Sequence, residues 1–243
     1  MGRAPEKVGA GQLKTKLIVL HGWSTDIQKW HPFLKILEEA EIPFQFLKVP
    51  GLSAPLEKIW TLDDYVTWLH RETEKEKSID VLGHSNGGKI ALAFALRYPH
   101  KVNRLFLIDS AGVYHNELHM RVKRVVFKTI AHVGKKFTSS EKARKILYKI
   151  VREKDYLESS PMLRETMKNL IKVNLLPKLQ NIKTPVIIIW GKEDKVTPFA
   201  DALRMQVEMP HAKLFPIEGA KHSPQFTHTE KVAEVVKTHY EHF

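Results

Sequence analysis

Cysteine is absent from all 243 residues, which excludes disulfides, thiolate nucleophiles and cysteine-held metals. No apolar run approaches the ~20 residues needed to cross a bilayer, so no membrane span is expected. The opening stretch MGRAPEKVGAGQLKTK has no apolar h-region, so no export is expected and a cytoplasmic location is. Internal repeats and low-complexity tracts are missing, and this length allows one sizeable core. Acidic residues are in short supply, with 27 Asp+Glu against 39 Lys+Arg and a net charge of +12. Such a surplus points to an anionic partner, or to a merely solvated basic surface, depending on where it lies.

What is present is an alternation of short apolar runs and helical patterns. The runs are Leu17–Leu20, Phe44–Val49, Ile79–Leu82, Leu105–Ile108, Val186–Trp190 and Lys213–Pro216. Most are continuously apolar, as in strands buried on both faces of a parallel sheet. Trp30, Phe33, Leu34 and Leu37 share one helical face, Thr61-Leu-Asp-Asp64 is a capping box, and a last helix is expected from about Thr229. The fold class is therefore α/β, a mostly parallel doubly wound sheet of about six strands. Residues 113–175 break the alternation with amphipathic helical patterns and no strand. They hold 15 Lys/Arg against 6 Asp/Glu, so most of the excess charge sits in this insertion. The expected division is a core of 1–112 and 176–243 and an all-helical cap of 113–175.

The stretch GHSNGGKI, Gly83 to Ile90, fits two chemistries. As G-x-x-x-x-G-K it approaches a nucleotide-binding loop, but that loop needs a hydroxyl after its Lys to ligate Mg²⁺, and Ile90 has none. As G-x-S-x-G it presents Ser85 as a nucleophile on a tight strand-to-helix turn, with Gly83 and Gly87 giving backbone clearance. A serine nucleophile needs a base and an orienting acid. The run VIIIWGKEDKVTP ends a strand at Glu193 and Asp194, and LFPIEGAKHSP ends one at His222. All of these fall at the carboxyl edge of the sheet, where open α/β sheets build their sites. Asp194 is the preferred acid, with Glu193 beside it and Asp109 at the preceding strand end as competitors. LIVLHGW reaches the same edge, so the backbone N–H groups of Trp23 and Asn86 are the candidate oxyanion hole. The Trp23 ring is either pocket wall or core.

Together LHGW, GHSNGG, WGKEDKVTP and GAKH resemble, in order, the oxyanion, nucleophile, acid and histidine motifs of the α/β-hydrolases. The likeness covers about 13–112 and 176–243, with the insertion in the place of the family's variable cap. It implies that Ser85 attacks an acyl carbon, His222 takes the serine proton, Asp194 holds the imidazole, and water releases the acid without a cofactor. It implies a small-molecule ester or lactone substrate; dienone carbon–carbon hydrolysis and a slow ligand receptor use the same residues. A Ser nucleophile argues against the haloalkane dehalogenase and epoxide hydrolase branches, which use Asp there. The family's first hairpin is expected to be reduced or absent, because about fifteen polar or Gly residues precede Leu17. KVPGLSAPLEK and SPQFTHTEK depart from the family's loops. The basic cap resembles that of esterases acting on acyl-carrier-protein methyl esters, which implies an acidic acyl carrier or an anionic surface as partner. Nucleic acid lacks any recognisable module. His115 and His119 lack a third ligand, so no metal is expected. Lys89 reads as a helix-surface cation.

Overall fold

The computed structural model describes residues 15–23, 26–115 and 160–241. Six strands, β1 (Leu17–Leu20), β2 (Phe44–Leu47), β3 (Ile79–His84), β4 (Val102–Ile108), β5 (Val186–Gly191) and β6 (Lys213–Ile217), form one sheet in the order β2-β1-β3-β4-β5-β6. Every neighbouring pair is parallel. Successive residues of a strand point to opposite faces, so continuously apolar strands require a core on each side. Ile18, Leu20, Val81, Leu105, Leu107, Ile188 and Trp190 join one apolar cluster, whereas Leu17, Val19, Leu82, Phe106, Ile108, Ile187 and Ile189 join the other.

Helices cover both faces. On one lie α1 (His31–Glu39) and the C-terminal helix, Thr229–Glu241, which bring Phe33, Leu37, Val232, Ala233 and Val236 into the second cluster. On the other lie α2 (Leu62–Glu72) and α3 (Asn86–Arg97), with Leu62, Tyr65, Val66, Leu69, Ile90 and Phe94. The capping box forms as the sequence indicates: Thr61 Oγ accepts from Asp64 N–H, and the Asp64 carboxylate accepts from Thr61 N–H at 2.8 Å. Numbering onward, α4 is Pro161–Lys172, α5 Phe199–Glu208, α6 Pro224–Thr227 and α7 the C-terminal helix. The residues before Thr15, where a first hairpin would lie, and most of the insertion fall outside the described residues.

The two ends of that insertion meet at the sheet's carboxyl edge. Leu175 N–H donates to Gly112 C=O at 2.9 Å, and Tyr114 N–H donates to Asn174 Oδ1 at 3.2 Å. Helix α4 clasps the loop before α2: Thr166 Oγ accepts from Trp60 N–H at 2.9 Å and Asn169 Nδ2 donates to Trp60 C=O at 3.3 Å.

Lys89 corrects an expectation. It is not a surface cation: it is buried, and its ammonium donates to Leu170 C=O at 2.7 Å and Val173 C=O at 3.0 Å. Leu170 lies in the last turn of α4 and Val173 directly follows it, at the end where the helix dipole favours a cation. Lys89 thus fastens α4 to the helix that begins at the nucleophile. Burial pulls its pKa down to about 8.

Candidate active site

Ser85 sits between β3 and α3 at φ 52°, ψ −117°, a backbone region sparsely populated by residues with side chains. The turn is possible because its neighbours lack Cβ atoms. A Cβ on Gly87 would lie 2.2 Å from Leu20 C=O, and one on Gly83 would lie 2.6 Å from Gly87 C=O. Ser85 N–H donates to Ile108 C=O at 3.0 Å and Ser85 C=O accepts from Ala111 N–H at 2.9 Å, which holds the elbow against β4.

The candidate base and acid converge on this serine. His222 Nε2 lies 3.0 Å from Ser85 Oγ, and His222 Nδ1 lies 2.7 Å from Asp194 Oδ2. A carboxylate only accepts, so Nδ1 carries the proton and Nε2 is free to accept from the serine hydroxyl. Asp194 is fixed by its own turn: Oδ1 accepts from Val196 N–H at 2.7 Å and Thr197 N–H at 3.2 Å, and Oδ2 accepts from Thr197 Oγ–H at 2.8 Å. Of the competing acids, Glu193 is exposed, and Asp109 Oδ2 stands 3.8 Å from His222 Nδ1. Asp194 is the carboxylate in hydrogen-bond contact.

Asp109 is nevertheless part of the same cluster. It is buried at φ 42°, and its two oxygens accept from Gly191 N–H and Ser223 N–H, each at 2.8 Å. Burial first, then the Asp194 charge, push its carboxyl up to about 7 against those hydrogen bonds and the nearby His222. His84, one residue before the nucleophile, is also buried, and burial holds its pKa well below the ordinary value. Ligand-type atoms of His84, Asp109 and His222 lie within 4.8 Å of one another. Those atoms are engaged by Ser223, Gly191, Asp194 and Ser85, so a metal there would have to displace the site's own bonds.

On the candidate oxyanion side, Gly22 abuts the elbow so closely that a Cβ on it would lie 2.7 Å from Ser85 Cβ. Trp23 follows directly, half-buried and packed against the first apolar cluster, which places its ring at the edge of the core. His21 braces this loop. Its Nδ1 lies 2.8 Å from Gly22 C=O, and its Nε2 faces Ser53 Oγ at 2.6 Å and Val49 N–H at 3.4 Å. The acceptor at Nδ1 and the donor at Nε2 define a neutral ring protonated on Nδ1, and burial lowers its pKa accordingly. Asn86 supplies the first N–H of α3, a donor that no helix residue can satisfy. Its side-chain Nδ2 is also buried and has no hydrogen-bond partner among the described residues.

Sequence reasoning missed His21, Thr197, Ser223 and the Asn86 amide. His21 and Asn86 stand in the quoted motifs, but only the loop geometry reveals their tasks. His115, considered above with His119, has its Nε2 2.7 Å from Asp201 Oδ2; His119 lies outside the described residues.

A doubly wound parallel sheet with Ser, His and Asp at its carboxyl edge defines a serine hydrolase of the α/β-hydrolase fold, an enzyme of esterase type. Residues 11–227 match the family described as serine aminopeptidase, S33, and the chain belongs to that family. It is 24% identical over 245 residues to a pimeloyl-[acyl-carrier protein] methyl ester esterase of Shewanella woodyi, covering 93% of each chain. It is 25% identical over 178 residues to a 2-hydroxy-6-oxononadienedioate/2-hydroxy-6-oxononatrienedioate hydrolase of Paraburkholderia xenovorans, covering 65% of this chain and 60% of the relative. In fold it is similar to an esterase from Exiguobacterium antarcticum, with a TM-score of 0.66 and 19% identity over 93% of this chain and 92% of the other. Among the described residues no helix is long and apolar enough to cross a membrane.

Proposed function

We propose that Ser85, His222 and Asp194 are the catalytic triad, and that the enzyme hydrolyses carboxylic esters through an acyl-enzyme on Ser85. The observation that carries this reading is the unbroken chain from Ser85 Oγ through His222 to Asp194, at 3.0 and 2.7 Å. As Oγ attacks the acyl carbon, its proton passes to His222 Nε2, and Asp194 stabilises the imidazolium. The charge that develops on the carbonyl oxygen is met by the N–H groups of Trp23 and Asn86. Collapse breaks the ester C–O bond, and the leaving alkoxide takes the proton from Nε2. A water then repeats the cycle on the acyl-enzyme, giving the acid and restoring Ser85.

Residues 113–175 serve as a helical cap over this site in our reading, and the acyl pocket lies between cap and core. The insertion's positive charge, with the likeness to an esterase named for an acyl-carrier substrate, supports an acidic carrier as the bearer of the ester. A cytoplasmic setting goes with such a substrate. Turnover of a short-chain nitrophenyl ester, abolished in Ser85→Ala, tests the chemistry; no activity across short esters and lactones would favour a ligand receptor. The relative named as a dienedioate hydrolase favours a second reading, carbon–carbon hydrolysis with the same residues. Faster cleavage of a dienone than of any ester would select it. Hydrolysis of a carrier-borne ester is expected to fall steeply with salt while that of a small neutral ester does not. Equal salt sensitivity would remove the carrier.

A further inference from the structure

Asp109 is a buried titratable group that the steps above leave unused, and it touches both loops that carry the candidate acid and base. It directly follows β4 at a positive φ of 42°, a turn of the chain that sends its carboxylate between the next two loops. One carboxylate oxygen accepts from Gly191 N–H, at the start of the turn bearing Asp194; the other accepts from Ser223 N–H, the residue after His222. The same turn returns Thr197 Oγ to within 3.1 Å of Asp109 C=O. The acid loop and the base loop are thus tied to one carboxylate at the head of a third strand.

We propose that Asp109 is a positioning residue whose ionised carboxylate sets the distance between Asp194 and His222, so that the site works fully only while Asp109 is deprotonated. The proposal rests on the triad reading above. A carboxylate offers a strong acceptor on each oxygen, whereas a carboxylic acid turns one oxygen into an O–H donor. That donor would face an N–H, and one of the two loops would be released. The titratable groups around it are Asp194 from the β5 turn, His222 from the loop before α6 and His84 from β3. Burial and the neighbouring Asp194 place the loss of its charge near pH 7, within the working range of a histidine base.

Asp109→Asn is the direct test, because its amide permanently imitates the protonated form: one acceptor stays and one becomes a donor. With a nitrophenyl ester at about pH 8 we expect kcat to fall about 10- to 100-fold with KM little changed, as for a misplaced catalytic group. The acid limb of log kcat/KM against pH should be steeper than one proton in the unaltered enzyme and fall to one proton in Asp109→Asn. A variant with unaltered kcat and an unaltered limb would overturn the proposal. Should Asp109→Asn not fold, the unaltered enzyme decides alone, and a limb of one proton throughout overturns it. Ser85→Ala and Asp194→Ala run alongside separate the two readings. If they retain activity the triad is wrong, whereas if they lose it while Asp109→Asn behaves as wild type, only the role of Asp109 fails.

Discussion

The two ends of the central strands each bury a carboxylate, and they treat it in opposite ways. At the amino edge, Asp80 of β3 is gripped by Arg104 of β4: Nε donates to Oδ1 at 3.0 Å and Nη2 to Oδ2 at 2.7 Å. Arg104 Nη1 continues to the carbonyls of His239 and Tyr240 in α7, and the guanidinium lies 4.8 Å from the Tyr240 ring centre. Hydrogen bonds and stacking engage both groups there, while burial still pushes the Asp80 carboxyl above its ordinary range against the pull of Arg104. At the carboxyl edge, Asp109 has no Lys or Arg against its carboxylate among the described contacts, only His222 Nδ1 at 3.8 Å, and another carboxylate stands close by. Three of the four positive-φ residues with side chains among the described residues, Ser85, Asp109 and Ser223, lie at this edge, and the fourth, Glu41, precedes β2. One edge is built to hold the fold together; the other keeps polar groups short of full satisfaction so that they can act.

Mutation should split the two edges cleanly. The largest effect is expected for Ser85→Ala, where ester hydrolysis drops by about 10⁴-fold or more. Its unfolding midpoint should stay close to wild type, since the hydroxyl's partner is a half-buried histidine and not a core group. A large loss of stability with residual turnover would contradict this division. Arg104→Ala is the mirror case. It strands the buried Asp80 charge and frees two α7 carbonyls, so it should cost about 3–5 kcal/mol in urea unfolding. Activity per folded molecule should be retained; an intact midpoint with lost kcat would show that the amino edge communicates with the site.

How much of this was legible in the sequence follows the same divide. All six strands lie on the expected runs; the central ones are near-continuously apolar because both faces are buried, whereas the edge strands β2 and β6 are only partly so, and β3 and β4 extend beyond the expected spans at His84 and Val102. Ser85, Asp194 and His222 were readable because each follows a strand and so reaches one edge. The sequence preferred Asp194 over Glu193 and Asp109, but the contact itself depends on which side chain a turn points inward, and in the fold that is Asp194. Lys89 was misread for a related reason. Its cation looks solvent-facing in a helix until the carbonyl ends of α4, 81 residues away in the chain, are brought against it. The bracing role of Asp109 was equally hidden, because both its partners are backbone N–H groups, which leave no signature in residue type.

Lys89 sharpens the comparison because it is a structural element placed at the catalytic edge. Lys89→Ala would open a cavity beneath α4 and take the ammonium from the Leu170 and Val173 carbonyls, at a cost of about 2–3 kcal/mol. Urea unfolding monitored by far-ultraviolet circular dichroism reads this directly. A midpoint equal to wild type would mean that α4 does not depend on the ammonium.

The most gradual expected effect is a slope with pH, and comparison with Asp109→Asn isolates Asp109 without removing the nucleophile. The folded-state carboxyl of Asp109 is pushed from its ordinary 3.8 to about 7 by burial and by Asp194. Between those values the folded protein holds a proton that the unfolded chain has already released. Stability therefore falls as pH rises through this window, by at most about 1.4 kcal/mol per pH unit, and levels off above it. Asp109→Asn has no such proton, so wild type should lose stability relative to the variant between the two pH values and run parallel to it above them. Parallel curves across the whole window would show that Asp109 is not protonated in the folded state at those pH values. If the slope appears, the carboxylate form that positions Asp194 and His222 is the less stable one, and the enzyme gives up stability at alkaline pH to keep its two loops in register.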